Sequence, residues 1–301
     1  MSEKSVAYRA ARKARAAREL GAWLVMLPGL VLFIFFLWEP LLEAIRLSLY
    51  EAKGMTLVRF VGLQNYVEVM RGPDFWPSVI NTFKYLFWSL IIGFLLPIAM
   101  AIGIHESSWG KGIYRTSFYL PNIVPGLATV FLWRFLYRSD ASGGLNMLLS
   151  AFGIAPQNWL NSAVTVIPMI VISMTWKGAG STALLYLAGL QGISPELYEA
   201  AIIDGANVRQ RIWNITLPQL YNLMRTLLIL QVISVFQVLY EPLVMTNGGP
   251  NNASISMMQL VYRYAFDKFD YSKASAVSVI VAIALIALTL VYNKVNKEKD
   301  M

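Results

Sequence analysis

Residues 196–220 read ELYEAAIIDGANVRQRIWNITLPQL, a half-polar segment with the period of an amphipathic helix, set between two strongly apolar ones. Ser194-Pro195-Glu196 has the chemistry of a helix start: a hydroxyl N-cap, a proline at the first helical position and an acid in the first turn. Leu197, Ala200 and Ala201 then recur at i, i+3 and i+4, giving one apolar, small-residue face, while Glu199 projects from another. Gly205, after Asp204, stands where a left-handed C-cap ends a helix. The spacing predicts a helix of about ten residues, roughly 15 Å long. Asn207 is expected to cap a second short helix carrying Arg209, Arg211 and Trp213, which Pro218 would end. Such pieces are too short to be stable alone. They form a knob whose small-residue face suits a groove on another protein.

The rest of the chain explains why a knob is needed. Of 301 residues 57% are hydrophobic and 14% charged, and the mean hydropathy is +0.54; soluble domains carry about 25% charged residues. The chain is therefore read as an all-α, polytopic integral membrane protein. Six apolar segments are long enough to span a bilayer: residues 22–38, 81–104, 117–137, 163–193, 223–245 and 274–292. The first follows a basic segment, residues 1–20, and no small-residue cleavage site comes after it, so it is read as a retained span. Residues 21–293 then form one six-span domain, with the knob, residues 194–218, between the fourth and fifth spans and a short tail at 294–301. Within the external segment 138–162, GGLNMLLSAFGI is expected to form a short interfacial helix.

Lys and Arg near the span ends set the orientation. Fourteen of them lie on the side of the N-terminus, the knob and the C-terminal tail, against eight on the other. Both termini and the knob are thus expected to be cytoplasmic. The net charge of +8 belongs mostly to this bias and to the basic N-terminal segment, which suits anionic lipid headgroups rather than nucleic acid.

Chemistry-bearing constellations are absent from the sequence. There is no cysteine, which excludes thiolate metal sites, and with only one histidine, His105, no histidine-based metal or triad site is expected. No phosphate-binding GxxxxGK[ST] loop occurs, since WGKGIY at 109–114 lacks both the spacing and the hydroxyl. No catalytic residues or metal ligands are assigned, and the chain is not expected to be an enzyme. Polar residues inside the spans are the candidates for function. Lys177, beside Trp176, lies near the middle of the fourth span, where it either faces a translocation pathway or else snorkels or pairs with a carboxylate such as Glu241. Gln231, Ser234 and Gln237 lie at i, i+3 and i+6 on the fifth, and are expected on roughly one face of it. Their amide and hydroxyl groups suit sugar hydroxyls, or else interhelical hydrogen bonds. Asn122, between Pro121 and Pro125, marks an expected helix break. Outside, TNGGPNN at 246–252 is a turn.

The spacing Glu199-Ala200-Ala201, three residues, Gly205, nine residues, Ile215-Thr216-Leu217-Pro218 resembles the EAA loop of ABC importer permeases. LAGLQGISPELYEAAIIDGA, FVGLQNYVEVM, NTFKY and VMTNGGPNNAS are similar to the carbohydrate-uptake members of the maltose and glycerol-phosphate type. The likeness covers nearly everything after the first twenty residues and departs at YSKASA, residues 271–276, where many relatives have a glycine.

The resemblance implies that the knob is a coupling helix. Glu199, Ala200, Ala201, Asp204, Gly205, Ile215, Leu217 and Pro218 would then engage an ATP-hydrolysing subunit. It implies a second, similar permease chain, two ATP-binding subunits that hold the ATP and Mg²⁺, and an extracytoplasmic solute-binding protein near Thr246, Gly248, Gly249 and Pro250. It implies a sugar or oligosaccharide as cargo, and a prokaryotic plasma membrane as location, with no cofactor on this chain. An importer for another solute, or an ion-coupled secondary transporter, are the alternatives. The second of these lacks the buried acids that ion coupling needs.

Overall fold

The computed structural model describes residues 3–54, 56–107 and 109–297. Residues 298–301 of the expected tail, and residues 1 and 2 of the basic segment, lie outside them. Helix α1 (Glu3–Phe33) runs through a π-helical turn (Ile34–Trp38) into α2 (Glu39–Ser48), so the basic segment and first span make one continuous rod. A hairpin of β1 (Tyr50–Lys53) and β2 (Thr56–Phe60) follows, with Tyr50 opposite Phe60 and a bulge between Glu51 and Ala52. This pair of strands is the one departure from an all-helical reading among the described residues.

The chain continues through α3 (Gln64–Arg71) into α4 (Phe75–Trp88), a π turn (Ser89–Phe94) and α5 (Leu95–Glu106). Helices α6 (Lys111–Ile123) and α7 (Gly126–Leu136) make up the third expected span, and α8 (Gly144–Ser150) is the short helix foreseen in the external segment. Next come α9 (Val166–Gln191), α10 (Pro195–Ile203), α11 (Val208–Arg211), a π turn (Ile212–Thr216) and α12 (Leu217–Phe236). The chain closes with α13 (Tyr240–Thr246), α14 (Met257–Tyr262), a π turn (Arg263–Asp267) and α15 (Tyr271–Lys297). Among the described residues four helices are long and apolar enough to cross a membrane: Arg18–Ser48, Phe75–Glu106, Val208–Phe236 and Tyr271–Val295. The third expected span is broken into α6 and the shorter apolar α7, and the fourth is the 26-residue α9.

Prolines do not end these helices where a local reading expects. Pro40, Pro97 and Pro218 each follow a π turn within three residues. A proline has no N–H to give and its ring clashes with the carbonyl four residues back. The widened turn changes the bonding to i→i−5, as in Leu217 N–H to the Ile212 carbonyl, and the helix continues. Pro218 therefore stands inside one rod from Val208 to Phe236, correcting the expectation that it ends a short helix.

Helix α9 is the central post. α5, α6, α12, α4 and α7 all pack against it. Between apolar helices in lipid, close packing rather than water expulsion holds the contact, so small residues matter most. At Gly180 a Cβ would sit 1.8 Å from the Phe118 carbonyl oxygen, which lets α6 touch the backbone of α9. Ala183, Tyr186, Leu187 and Leu190 continue this core toward the knob, against Ile98, Ala101, Ile104 and Leu220. At the other end Tyr85, Val130, Tyr137, Ile167 and Ile170 form a second cluster. A third joins α3, α14 and α15 through Val69, Leu260 and Val277.

The first rod stands apart. Its most apolar window has no buried residue, and Phe36 is 78% exposed. Only its end is held. Helix α2 packs on α15, and Asn65 donates to the carbonyls of Ser48 and Tyr50 at 2.9 Å each. The departure at residues 271–276 is accommodated here too: Ser272 Oγ accepts from Ala52 N–H at 3.0 Å, and Lys273 pairs with Glu68 and Asp270 at 3.0 and 3.2 Å.

Candidate functional site

The knob is built by local chemistry. Helix α10 ends with Gly205 at φ +80°, Gly205 N–H on the Ile202 carbonyl (3.0 Å) and Ala206 N–H on the Ala201 carbonyl (2.8 Å). That is the paired bonding of a Schellman cap, with Asp204 at the C-cap position. Asn207 caps α11 as expected, and Gln210 answers it in a full capping box, at 3.0 and 2.8 Å. Ser194 holds the N-cap position, but its side chain makes no capping hydrogen bond. Glu199, Ala200 and Leu197 are exposed, and so are Ile202 and Ile203, the latter at 85%. Sequence reasoning missed these two isoleucines, which widen the apolar face beyond the alanines. Of the remaining motif residues, Ile215 and Leu217 are half-buried and Pro218 is exposed. With Trp213 and Tyr221, Leu217 and Pro218 line a shallow apolar groove.

The inner side of α10 is tied down. Tyr198 Oη lies 3.0 Å from the buried Thr216 Oγ1, and the His105 ring sits 5.4 Å from the Tyr198 ring. Arg211 Nη2 donates to Glu106 Oε2 at 2.9 Å, with side chains only 16% and 20% exposed. A cavity of about 490 Å³ opens beside them, bordered by Lys111, Ile193 and Glu199.

The membrane interior separates the pathway candidates. Val124 and Pro125 take extended ψ values of 130° and 140°, which breaks the third span beside Asn122 as the two prolines suggest. Lys177 Nζ donates to the freed Val124 carbonyl at 2.8 Å. Its partner is thus a backbone oxygen, while Trp176 makes an edge contact with Trp133 at 5.9 Å. Gln231 is half-buried and donates to Ser89 Oγ at 2.5 Å, close to Thr175 across Gly93. Ser234 and Gln237 are exposed, and Gln237 lies past the helix end. The three do not share a face, because each three-residue step falls short of a full turn and two steps drift by about 120°.

On the opposite face the TNGGPNN turn is held from several directions. Asn81 donates to the carbonyls of Asn252 (2.7 Å) and Ile255 (3.2 Å), and Tyr85 Oη to that of Ser254 (2.9 Å). Met257 N–H donates to Thr82 Oγ1 at 3.1 Å. The motif NTFKY is therefore the clamp for the motif VMTNGGPNNAS. Arg263 completes it, donating to Asn252 Oδ1 (3.0 Å) and the Asn247 carbonyl (2.8 Å), while Asn252 donates to Asp74 (2.8 Å). Thr246 Oγ1 lies 2.8 Å from Ser254 Oγ. Gly248, at φ +82°, lies flat on Arg263, whose Nη2 would be 2.7 Å from a Cβ. Gly249 and Pro250 border a cavity of about 580 Å³ with Arg134, Arg138 and Asn161.

Comparisons with known proteins bear on both faces. A family profile described as "Binding-protein-dependent transport system inner membrane component" matches residues 93–297. The trehalose/maltose transport system permease protein MalF of Thermococcus litoralis is 34% identical over 278 residues, covering 91% of this chain and 93% of its own. The arabinooligosaccharides transport system permease protein AraP of Bacillus subtilis is 27% identical, with 93% and 90% covered. Among solved structures, a chain of a bacterial ABC transporter involved in import of the acidic polysaccharide alginate superposes with a TM-score of 0.83 at 25% identity, covering 96% of this chain and 99% of that one. The same transporter in complex with an alginate pentasaccharide-bound periplasmic protein gives 0.84 at 25% identity, covering 95% and 96%.

Proposed function

The chain belongs to the family of binding-protein-dependent transport system inner membrane components, and we propose that it carries a sugar or oligosaccharide into the cell. It is the multi-pass permease subunit of an ABC importer, and ATP hydrolysis resides in a separate chain. In this reading the membrane is a prokaryotic plasma membrane crossed six times, with both termini and the knob on the cytoplasmic side. Two ATP-binding subunits carry ATP and Mg²⁺, and this chain binds no cofactor of its own.

One observation carries the coupling role: a helix fixed by a Schellman cap that displays Leu197, Ile202 and Ile203 to solvent. Exposed apolar side chains on a rigid, short helix are the anchors of a helix-in-groove contact. Closure of the ATPase subunits on ATP would push this helix and switch the spans between inward- and outward-facing states. The detached first rod supports a second permease chain, because its apolar surface is long enough to span the membrane yet packs on little of its own chain. The clamped turn at 246–252 and the cavity beside it support docking of a solute-binding protein on the outer face. Lys177, Trp176, Asn122, Gln231, Ser234 and Gln237 remain the pathway candidates, with Ser234 and Gln237 open to a facing chain and Gln231 and Lys177 turned inward.

The test is ATP hydrolysis and uptake by the complete complex in proteoliposomes, with its binding protein and a panel of sugars. One oligosaccharide should stimulate hydrolysis. Gly205→Asp should abolish uptake while the subunit still inserts, since it adds strain at φ +80° and sets a negative charge beside the last carbonyls of α10, on the exposed face of the knob. Uptake driven by an ion gradient without an ATPase subunit, or normal transport by Gly205→Asp, would overturn the reading.

A further inference from the structure

Three membrane helices meet the knob, and they are joined to it differently. Helix α9 leads directly into α10, and α11 leads through its π turn into α12. Displacement of the knob reaches both through the backbone. Helix α5 has no such covalent route, since Glu106 lies 105 residues from Arg211 along the chain. Its polar link to the knob is the Glu106–Arg211 ion pair at 2.9 Å, flanked by the His105–Tyr198 ring contact.

The pair is built to be stiff. Both side chains are mostly shielded from solvent, so screening is weak and the contact is stronger than a surface pair. Arg211 Nε is buried without another partner, which leaves the guanidinium dependent on this carboxylate. The Arg211 backbone is pinned in turn: its carbonyl accepts from Thr216 Oγ1 at 3.4 Å, and that hydroxyl lies 3.0 Å from Tyr198 Oη. Helix α5 then leads back through the π turn Ser89–Phe94, which carries the Ser89–Gln231 contact deep among the spans.

We infer that Glu106 and Arg211 are positioning residues for transport: their ion pair is the strut that makes α5 move with the knob, so that motion of α10 reaches the Ser89–Gln231 region. The inference rests on the knob being the ATPase-docking element.

The experiment uses the whole reconstituted complex and reads transport per ATP hydrolysed, with co-purification of the ATPase subunit as the assembly check. Glu106→Gln and Arg211→Met should assemble yet lose transport per ATP by about tenfold or more. The exchanged pair, Glu106→Arg with Arg211→Glu, should recover most of it. The chain has no cysteine, so Glu106→Cys with Arg211→Cys gives this subunit its only two thiols. That variant should be uncoupled when reduced and regain coupling when a short bismaleimide joins the thiols, a rescue that a purely structural role would not give.

Wild-type transport per ATP in Glu106→Gln, or no recovery in either the exchanged or the cross-linked pair, would overturn the strut. Gly205→Asp run in parallel separates the two readings. If it too transports normally, the knob assignment fails; if it alone is uncoupled, only the strut does.

Discussion

The two faces of this permease are held together by different means. On the knob face the bonds are short-range: a glycine cap, a capping box between residues three apart, and a single ion pair reaching back to α5. On the opposite face the bonds are long-range and converge on backbone. Asn81 reaches across 171 residues to Asn252 and Tyr85 across 169 to Ser254, while Asn146 gathers its own loop through bonds that span 6 to 13 residues. On the proposed roles, a handle that is pushed keeps its own shape and few ties to the body, and a platform that receives a partner in one pose is tied everywhere.

Asn146 gives the sharpest way to break this contrast. It is fully buried, donates to the carbonyls of Arg138, Asp140 and Gln157, and accepts from Gln157 N–H and Trp159 Nε1. Asn146→Ala leaves several polar groups buried without partners, at about 1–3 kcal/mol for each that water cannot reach. Loss of roughly 4 kcal/mol is expected from the lobe opposite the knob, read as faster proteolysis within residues 138–162. An unchanged cleavage rate would mean that the platform is not built around this side chain.

Gly205→Ala probes the handle with a smaller change. A Cβ meets nothing within 4 Å there, so the cost is backbone strain alone at φ +80°, about 1–2 kcal/mol. Hydrogen exchange should quicken across 200–206 while the melting temperature of the subunit stays nearly constant. A shift of the whole melting curve would show that the handle is part of the cooperative core.

The smallest effect lies at Glu68, on the face opposite the knob. Hydrogen bonds from Gln64 and then Lys273 hold its carboxyl below its ordinary value of 4.5. A depressed folded-state value contributes stability above the unfolded pKa, which is lost as pH falls through the folded one. Because Glu68 is 43% exposed, the contribution is below about 1 kcal/mol. The wild type should lose that difference over Glu68→Gln when melting is compared between neutral pH and pH values below the carboxylate range. Equal differences at both would remove Glu68 from the platform's ties.

Hydropathy and local chemistry made much of this legible. The knob's caps at Gly205 and Asn207 follow from residue type alone, as does the break at Pro125 and the helix within GGLNMLLSAFGI. The differences share a cause. A local reading makes Pro218 a stop because a proline's clash is local, whereas the π turn that relieves it is a property of the continuing rod. For Lys177 residue type leaves a pathway role or a carboxylate partner open, and packing brings a backbone carbonyl from another helix to its Nζ. The hairpin at 50–60 escaped notice because four- and five-residue strands leave little pattern in a loop.

What the amino-acid order determined by itself was the set of apolar segments, the position of the knob between two of them, the residues that end its helix, and the motifs that mark the family. These depend on bilayer thickness and on backbone chemistry within a few residues, and both are written in consecutive letters. Only the tertiary structure decided that NTFKY clamps the TNGGPNN turn, that Gln231 turns inward while Ser234 and Gln237 face out, and that Glu106 meets Arg211. A polar group at depth must find a partner or stay unsatisfied, and its partner is whichever side chain or carbonyl the packing of α9 and its neighbours brings within 3 Å or so.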